Sequence, residues 1–463
     1  MRRGRTIITN TSPIKAQLAT GMGKLAYSVL HGVFKGGSSY PGKLAQKIDP
    51  DVLAALGKDY DVIVVTGTNG KTLTTNLVVK VLAQKYPDIL SNPTGSNMMR
   101  GIITAFLAHS KRYKNGKRGL AVLEVDEANV APVSAALNVK AYVLTNIFRD
   151  QMDRYGEFYT TYEKILTGIK MHPGALVIAN GDAPIFHSRE LKNPMRYFGF
   201  NRGGTADMFA PVNTDGVLCP QCQHILHYHE ISYSNLGDYF CPHCGFKRPE
   251  LVAKMTAITA QTPTSSAFTI DGHNFNLSIG GTYNIYNALA AYAVGQEFGI
   301  SADATAKAFA YDEKVFGRQE VVNVKGKQVT LVLVKNPVGM NQVLEMIGHA
   351  DKPFAFGFLL NAKYADGKDT SWIWDTNLEE FVASKQATTY MVGGERFKDI
   401  QFRMEVAGVD PDELLTEPDL TKLPDRIASF KEDSVYLLAT YTAMLQLRKT
   451  FADGGYIAHG FDK

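Results

Sequence analysis

Val62-Ile63-Val64-Val65-Thr66-Gly67-Thr68-Asn69-Gly70-Lys71-Thr72 passes from a β-branched run through a two-glycine turn into helix-forming residues. Four successive Val and Ile residues without polar alternation read as a strand buried on both faces. The glycines let the backbone fold tightly around an anion, and the amides opening the next helix point at it. Lys71 supplies a mobile positive charge, and the Thr72 hydroxyl can sit on Mg²⁺. Gly67, Thr68, Asn69, Gly70, Lys71 and Thr72 are therefore the candidate nucleotide-phosphate residues, with no core role evident for Lys71. The general G-x-x-x-x-G-K-[ST] spacing would need glycine where Val65 stands, so the loop is the shorter T-G-T-N-G-K-T form. A plain Gly-rich turn between strand and helix is the alternative, and the placement of Lys71 and Thr72 argues against it.

The rest of the chain suits a soluble enzyme. Its 463 residues, 45% hydrophobic and 20% charged, predict a globular protein of two or three domains. The net charge of +4 is too small to argue for nucleic acid, but it is unevenly placed. Residues 1–50 carry Arg2, Arg3, Arg5, Lys15, Lys24, Lys35, Lys43 and Lys47 against Asp49 alone. That end suits an anionic surface, or is simply a solvated face. No run reaches the ~18 apolar residues of a membrane span, and Lys24 and His31 interrupt the segment from Ala16 to Phe34. The expected location is the cytoplasm, with the basic end suited to the inner membrane face.

Cys219, Cys222, Cys241 and Cys244 are the only cysteines, arranged as C-P-Q-C and C-P-H-C-G. Two C-x-x-C knuckles at this separation match a zinc-ribbon site in which each offers two thiolates to one Zn²⁺. A closed four-thiolate site leaves no place for water, so the metal would hold an insert of about residues 205–250 together and do no chemistry.

Beyond the phosphate loop, apolar runs at 119–125, 141–145 and 175–179 alternate with helical patterns such as 159–170, predicting a doubly wound parallel sheet. A hairpin around Asp271-Gly272 and a helix over 284–298 follow the cysteine module. A second α/β series opens near Phe316-Gly317-Arg318, with strands expected at 329–334, 353–360, 388–392 and 434–438. The expected division is a basic segment 1–55, a central domain 56–315 and a C-terminal domain 316–463.

The short phosphate loop resembles that of the Mur ligase superfamily, ATP-dependent enzymes that activate a carboxylate as an acyl phosphate and join an amine to it. Four further stretches match in order: Thr145-Asn146 with Asp150 and Asp153, Asn180-Gly181-Asp182-Ala183-Pro184, Gly281 to Asn287, and Gly317-Arg318. Gln151 and Tyr283 stand where the family usually has histidine. The resemblance implies a Mur ligase-like central ATPase domain followed by a Rossmann-like α/β domain. It implies Mg²⁺ on Glu124 at the end of a strand, adenine contacts from Asn284 and Asn287, and a nucleotide contact from Arg318 at the hinge. Asp126 and Glu127 are either further metal-side acids or a solvated turn.

Only about sixty residues precede the loop, fewer than a typical domain needs, which argues against a UDP-binding domain and a soluble UDP-sugar substrate. The C-terminal motif of peptide-adding Mur ligases appears in altered form at Lys335-Asn336-Pro337. With the cysteine insert and the stretch Asp366 to Trp372, the whole chain resembles the MurT family of lipid II isoglutaminyl synthase subunits. That resemblance implies a GatD-type glutaminase partner supplying ammonia, amidation of the D-glutamate α-carboxylate of the lipid II stem peptide to D-isoglutamine in cell-wall synthesis, and a catalytic trio of Lys71, Glu124 and Asp369. Asp369 would complete the partner's Cys and His; a turn residue after Gly367 is the other reading. A folylpolyglutamate synthetase shares the loop but gives no reason for the cysteine insert. A zinc-ribbon nucleic-acid-binding ATPase lacks the charge such binding needs.

Overall fold

The computed structural model describes residues 12–30, 39–92, 96–111, 113, 116–149, 158–211, 214–310 and 318–458. Arg2, Arg3, Arg5, Lys35, Asp150, Gln151, Asp153, Phe316 and Gly317 lie outside them, as does the Arg318 side chain.

The first α/β series builds a nine-stranded sheet in the order β12-β11-β10-β6-β5-β4-β1-β3-β2. Its strands are β1 (Tyr60–Thr66), β2 (Leu90–Ser91), β3 (Gly119–Glu124), β4 (Val139–Leu144), β5 (Leu176–Asn180), β6 (Met195–Phe200), β10 (Ala253–Thr262), β11 (Ser265–Ile270) and β12 (His273–Leu277). The order β2 to β6 with β10 is parallel, and the predicted hairpin adds β11 and β12 antiparallel at one edge. Strand β1 sits between β3 and β4, with Val62, Ile63, Val64 and Val65 fully buried. The chain fills one side of β1 with β2 and β3 before crossing to β4 on the other. That reversal opens a crevice at the carboxyl ends of β1, β3 and β4, where doubly wound sheets bind ligands.

The N-terminal segment is not a separate unit. Helices α1 (Pro13–Val29), α2 (Tyr40–Ile48) and α3 (Val52–Gly57) pack around α5 (Met99–His109), and Ala19, Ala45, Val52 and Leu53 join the core of the large sheet.

The cysteine module forms its own three-stranded sheet, β7 (Met208–Phe209), β8 (His227–Tyr233) and β9 (Leu236–Phe240), around buried Tyr228 and Tyr239. The C-terminal part is a six-stranded sheet in the order β13-β14-β18-β15-β16-β17. It comprises β13 (Arg318–Val324), β14 (Lys327–Leu333), β15 (Phe354–Leu359), β16 (Ala387–Gly393), β17 (Leu414–Glu417) and β18 (Ser434–Ala439). Apart from the β13–β14 hairpin its pairings are parallel, with an apolar cluster on each face. The four strands expected from the sequence are β14, β15, β16 and β18. Strand β13 was not anticipated because its start reads as a hinge, and β17 is too short and polar to stand out.

Candidate functional site

The phosphate loop joins β1 to α4 (Lys71–Leu82), with Gly70 at its N-cap. Two glycines are needed here for space as well as conformation. Gly67 has φ +133° and Gly70 φ +83°. A Cβ on Gly67 would lie 2.3 Å from Thr145 Oγ1, and one on Gly70 would lie 2.1 Å from Asn287 Oδ1. The stretch after β4 grips the loop. Asn69 N–H donates to Asn146 Oδ1 (2.9 Å), Thr145 Oγ1 donates to the Asn69 carbonyl (2.9 Å), and Phe148 N–H donates to Thr68 Oγ1 (3.0 Å). The T-N motif therefore acts by fixing loop geometry.

Lys71 is buried, contrary to the expectation that it has no core role. Its Nζ donates to the Gly67 carbonyl (2.5 Å) and the Thr68 carbonyl (3.2 Å) and pairs with Glu127 (3.2 Å). Burial pushes the Glu127 carboxyl above the usual carboxylate range, against the lowering pull of Lys71 and of Lys335 from the C-terminal domain. Glu127 is thus no solvated turn. Asp126 is the N-cap of the short helical turn Glu127–Asn129, accepting from Ala128 N–H.

Glu124 ends β3 beside the loop and is buried. Asn92 holds its backbone on both sides, and Asn97 donates to its Oε1 at 2.9 Å. Oε2 is buried without a hydrogen-bond partner among the described residues. A carboxylate oxygen desolvated and unpaired is costly unless a cation takes it, so this site fits Mg²⁺. Thr72, in the first turn of α4, is only half-buried.

Asn284 and Asn287 lie in the Thr282–Glu297 helix and are buried. Asn287 accepts from Thr74 Oγ1 (3.1 Å) and donates to Asn284 Oδ1 (3.2 Å), and Asn284 donates to the Gly280 carbonyl (2.6 Å). Asn287 thus packs against Gly70 and the first turn of α4, with Asn284 behind it. Arg318 opens β13, next to Gln319, whose amide bonds Gly280 through both N–H and carbonyl and whose φ is +58°. This contact pins the start of the C-terminal domain to the central one.

Asn336 and Lys335 of the altered C-terminal motif, and Arg149, reach across between the domains. Asn336 caps the Pro337–Ile347 helix by accepting from Gly339 N–H (2.7 Å) and exchanges side-chain amide bonds with Asn69. Lys335 exerts a lowering pull on the Glu127 carboxyl. Arg149 pairs with Asp215 of the cysteine module (3.5 Å) and with Asp375 of the C-terminal domain.

Asp369 stands apart from this cluster, on the loop after β15. Asp366 anchors that loop by accepting from Thr442 N–H (2.7 Å) and Lys363 N–H (3.0 Å). Asp369 itself is exposed and accepts from Ser371 N–H at 2.8 Å. The Ser371 hydroxyl and amide hold its carboxyl below the usual range, with Arg149 adding to the effect.

The four cysteines converge. Cys219 Sγ lies 3.6 Å from Cys244 Sγ and Cys222 Sγ 3.5 Å from Cys241 Sγ, with all four within 4.8 Å of one another and none in a disulfide. Bonds of ~2.3 Å to one tetrahedral zinc require sulfur separations of about 3.8 Å, so the set is compatible with zinc. The knuckles repeat each other. Gln223 and Gly245, each four residues after the first cysteine, have φ +64° and +77° and donate to the Cys219 and Cys241 carbonyls. The module sits on the site: Tyr233 packs on Phe148 (5.9 Å between centroids) and on Tyr286 (5.7 Å). Buried Asp182 ties the two together, accepting from Arg248 (3.0 Å), Tyr286 OH (2.6 Å) and Phe200 N–H (2.7 Å).

Comparison with known proteins agrees with this arrangement. Residues 65–239 match the Mur ligase middle domain and residues 333–444 the MurT ligase C-terminal domain. The chain is 45% identical over 439 residues to the lipid II isoglutaminyl synthase (glutamine-hydrolyzing) subunit MurT of Streptococcus pneumoniae, covering 95% of this chain and 97% of that protein. It is 32% identical to the subunit MurT of Staphylococcus aureus, covering 94% and 98%. In fold it resembles a pseudomurein peptide ligase type C from Methanothermus fervidus (TM-score 0.63, 18% identity, covering 89% and 83%). It also resembles the MurF ligase from Thermotoga maritima in complex with ADP (TM-score 0.58, 16% identity, covering 89% and 82%). With a two-domain Mur ligase fold, a braced phosphate loop and near-complete coverage of these relatives, the chain belongs to the MurT family of lipid II isoglutaminyl synthase subunits.

Proposed function

We propose that this protein is the synthetase subunit of a lipid II isoglutaminyl synthase, using ATP to amidate the D-glutamate α-carboxylate of the stem peptide. The observation that carries the reading is the buried, unpaired Glu124 Oε2 beside a braced phosphate loop, in a chain that aligns with MurT along nearly its whole length. A carboxylate oxygen of the substrate attacks the γ-phosphorus and ADP leaves. Ammonia then attacks the acyl carbon, the C–O bond to phosphate breaks, and the nitrogen loses a proton. Phosphoryl transfer depends mainly on positioning and charge neutralisation. The amides of Gly70, Lys71 and Thr72 at the start of α4 and the Lys71 ammonium bind phosphate oxygens, while Thr72 and Glu124 would hold Mg²⁺. That ion, when bound, supplies Lewis-acid charge neutralisation at the phosphates. To reach phosphate, Lys71 turns from the Gly67 and Thr68 carbonyls, and Lys335 is placed to take over part of the Glu127 charge. Asn287 supports the loop, and Asn284 and Asn287 approach the adenine.

A GatD-type glutaminase partner supplies the ammonia, and Asp369 completes its Cys and His. Its exposure and ionisation below the ordinary range suit an acid offered to another chain. Zinc on Cys219, Cys222, Cys241 and Cys244 holds the module against Phe148. The enzyme works in the cytoplasm on a membrane-anchored substrate and needs no nucleic acid.

The test is a reaction with purified glutaminase, ATP, glutamine and lipid II. Conversion of the D-glutamate α-carboxyl to a carboxamide, read by mass spectrometry and dependent on both subunits, is the expected result. Glutamate addition to a folate without lipid II amidation would overturn it.

A further inference from the structure

Among the described residues, nothing covers one face of helix α1. Ile14, Leu18, Met22, Leu25 and Val29 recur at four-, four-, three- and four-residue steps and are 76%, 56%, 41%, 60% and 49% exposed. At 100° per residue they fall within one narrow stripe along the helix. The opposite face is closely packed. Ala19 and Gly23 are buried, and a Cβ on Gly23 would lie 2.7 Å from Leu107 and 3.1 Å from Ala45. Five large apolar side chains aligned in water are not incidental exposure.

Charge identifies the occupant. Lys15 and Lys24 flank the stripe on either side and are exposed. All eight ionised side chains before Asp49 are lysine or arginine. An apolar stripe bordered by cations, in a segment with no acid before Asp49, matches a helix lying in the headgroup region of an anionic bilayer. A protein partner would also cover the stripe, but would give no reason for eight like charges. No helix among the described residues is long and apolar enough to cross a membrane, so α1 would lie on the surface.

The stripe is rigidly joined to the site. Gly42 of α2 donates its N–H to Thr104 Oγ1 of α5 (2.9 Å), Met99 at the start of α5 donates to Asn129 Oδ1 (3.1 Å), and Asn97 just before it holds Glu124. We propose that the exposed face of α1 docks this protein on an anionic membrane surface and presents the phosphate site to a substrate anchored there. This deepens the lipid-linked reading given above, and its test is independent of substrate.

The experiment is flotation of the full chain, alone and with its glutaminase, on vesicles of phosphatidylglycerol or phosphatidylcholine containing no lipid II. Flotation with phosphatidylglycerol, weakened about tenfold or more by Ile14→Glu with Leu25→Glu and by high salt, is expected. Lys15→Glu with Lys24→Glu tests the same face without touching apolar groups, and unaltered thermal unfolding confirms that either variant folds. Failure of the unaltered chain to float, or equal flotation of both variants, would overturn the proposal. So would self-association or glutaminase capture that depends on Ile14 and Leu25, since the stripe would then be a protein interface. Amidation of a water-soluble lipid II analogue by a chain that does not float would sink this inference and leave the ligase reading intact.

Discussion

Asn69 and Asn336, 267 positions apart, exchange amide hydrogen bonds at 3.3 and 3.1 Å. One is in the phosphate loop and the other caps the first long helix of the C-terminal domain, so the second domain touches the loop directly through a side-chain pair. Labile acyl phosphates need water excluded, and this pair is placed to transmit closure.

Asn336→Ala removes the exchange and the cap together. The cap alone is worth about 1 kcal/mol. Thermal unfolding should shift modestly, while ATP turnover with substrate falls by about tenfold or more through looser closure. Unchanged turnover in steady-state assays would show that the contact is incidental.

Lys71→Ala should abolish ATP turnover and also destabilise the fold, because it strands buried Glu127. Breaking a buried ion pair costs about 3–5 kcal/mol. Lys71→Met with Glu127→Gln should recover much of that stability without recovering turnover. Denaturant unfolding beside ATPase assays separates the two effects, and retained ATPase activity in either variant would refute the phosphate-loop assignment.

Cys222→Ser should release zinc, whose binding contributes on the order of 10 kcal/mol to small metal modules. Since Tyr233 packs on Phe148, which donates to Thr68, loosening should reach the loop as a raised KM for ATP. Metal analysis of the unaltered protein finding no zinc would remove the premise.

Asp369→Asn keeps the shape but removes the charge. Glutamine-driven amidation should fall by about 10²-fold or more, if the partner's histidine loses its orienting acid. Amidation driven by ammonium salt should largely survive, because Lys71, Thr72 and Glu124 lie in the other domain. Equal loss with both donors would place Asp369 in the synthetase site or in structure. The pH dependence has a definite sign. A carboxyl held below its ordinary value of ~3.9 contributes stability that is present above that pH and fades as pH falls through the lowered value. Asp369 therefore stays ionised at neutral pH, and Asp369→Asn should flatten only the acid end of a stability profile.

Much of the architecture was legible because it rests on local chemistry. The Val62–Val65 run, the hairpin at Asp271-Gly272 and the paired cysteine knuckles each carry their own periodicity or spacing. Strands β13 and β17 were missed because one follows a hinge and the other has four residues of mixed polarity. The roles of Lys335, Arg149 and Glu127 were invisible because each depends on a partner distant in the chain.

The sequence by itself determined that a strand would end in a two-glycine turn opening a helix, that four cysteines would face one another in a small insert, and that the N-terminal end would be basic, since these follow from residue type at short spacing. Only the tertiary structure decided that Lys71 is buried against Glu127, that Asn287 packs against Gly70, that one oxygen of Glu124 has no partner among the described residues, and that the apolar stripe of α1 faces outward. Desolvation and unmet hydrogen-bonding capacity belong to the packed arrangement of distant segments, and no single segment encodes them.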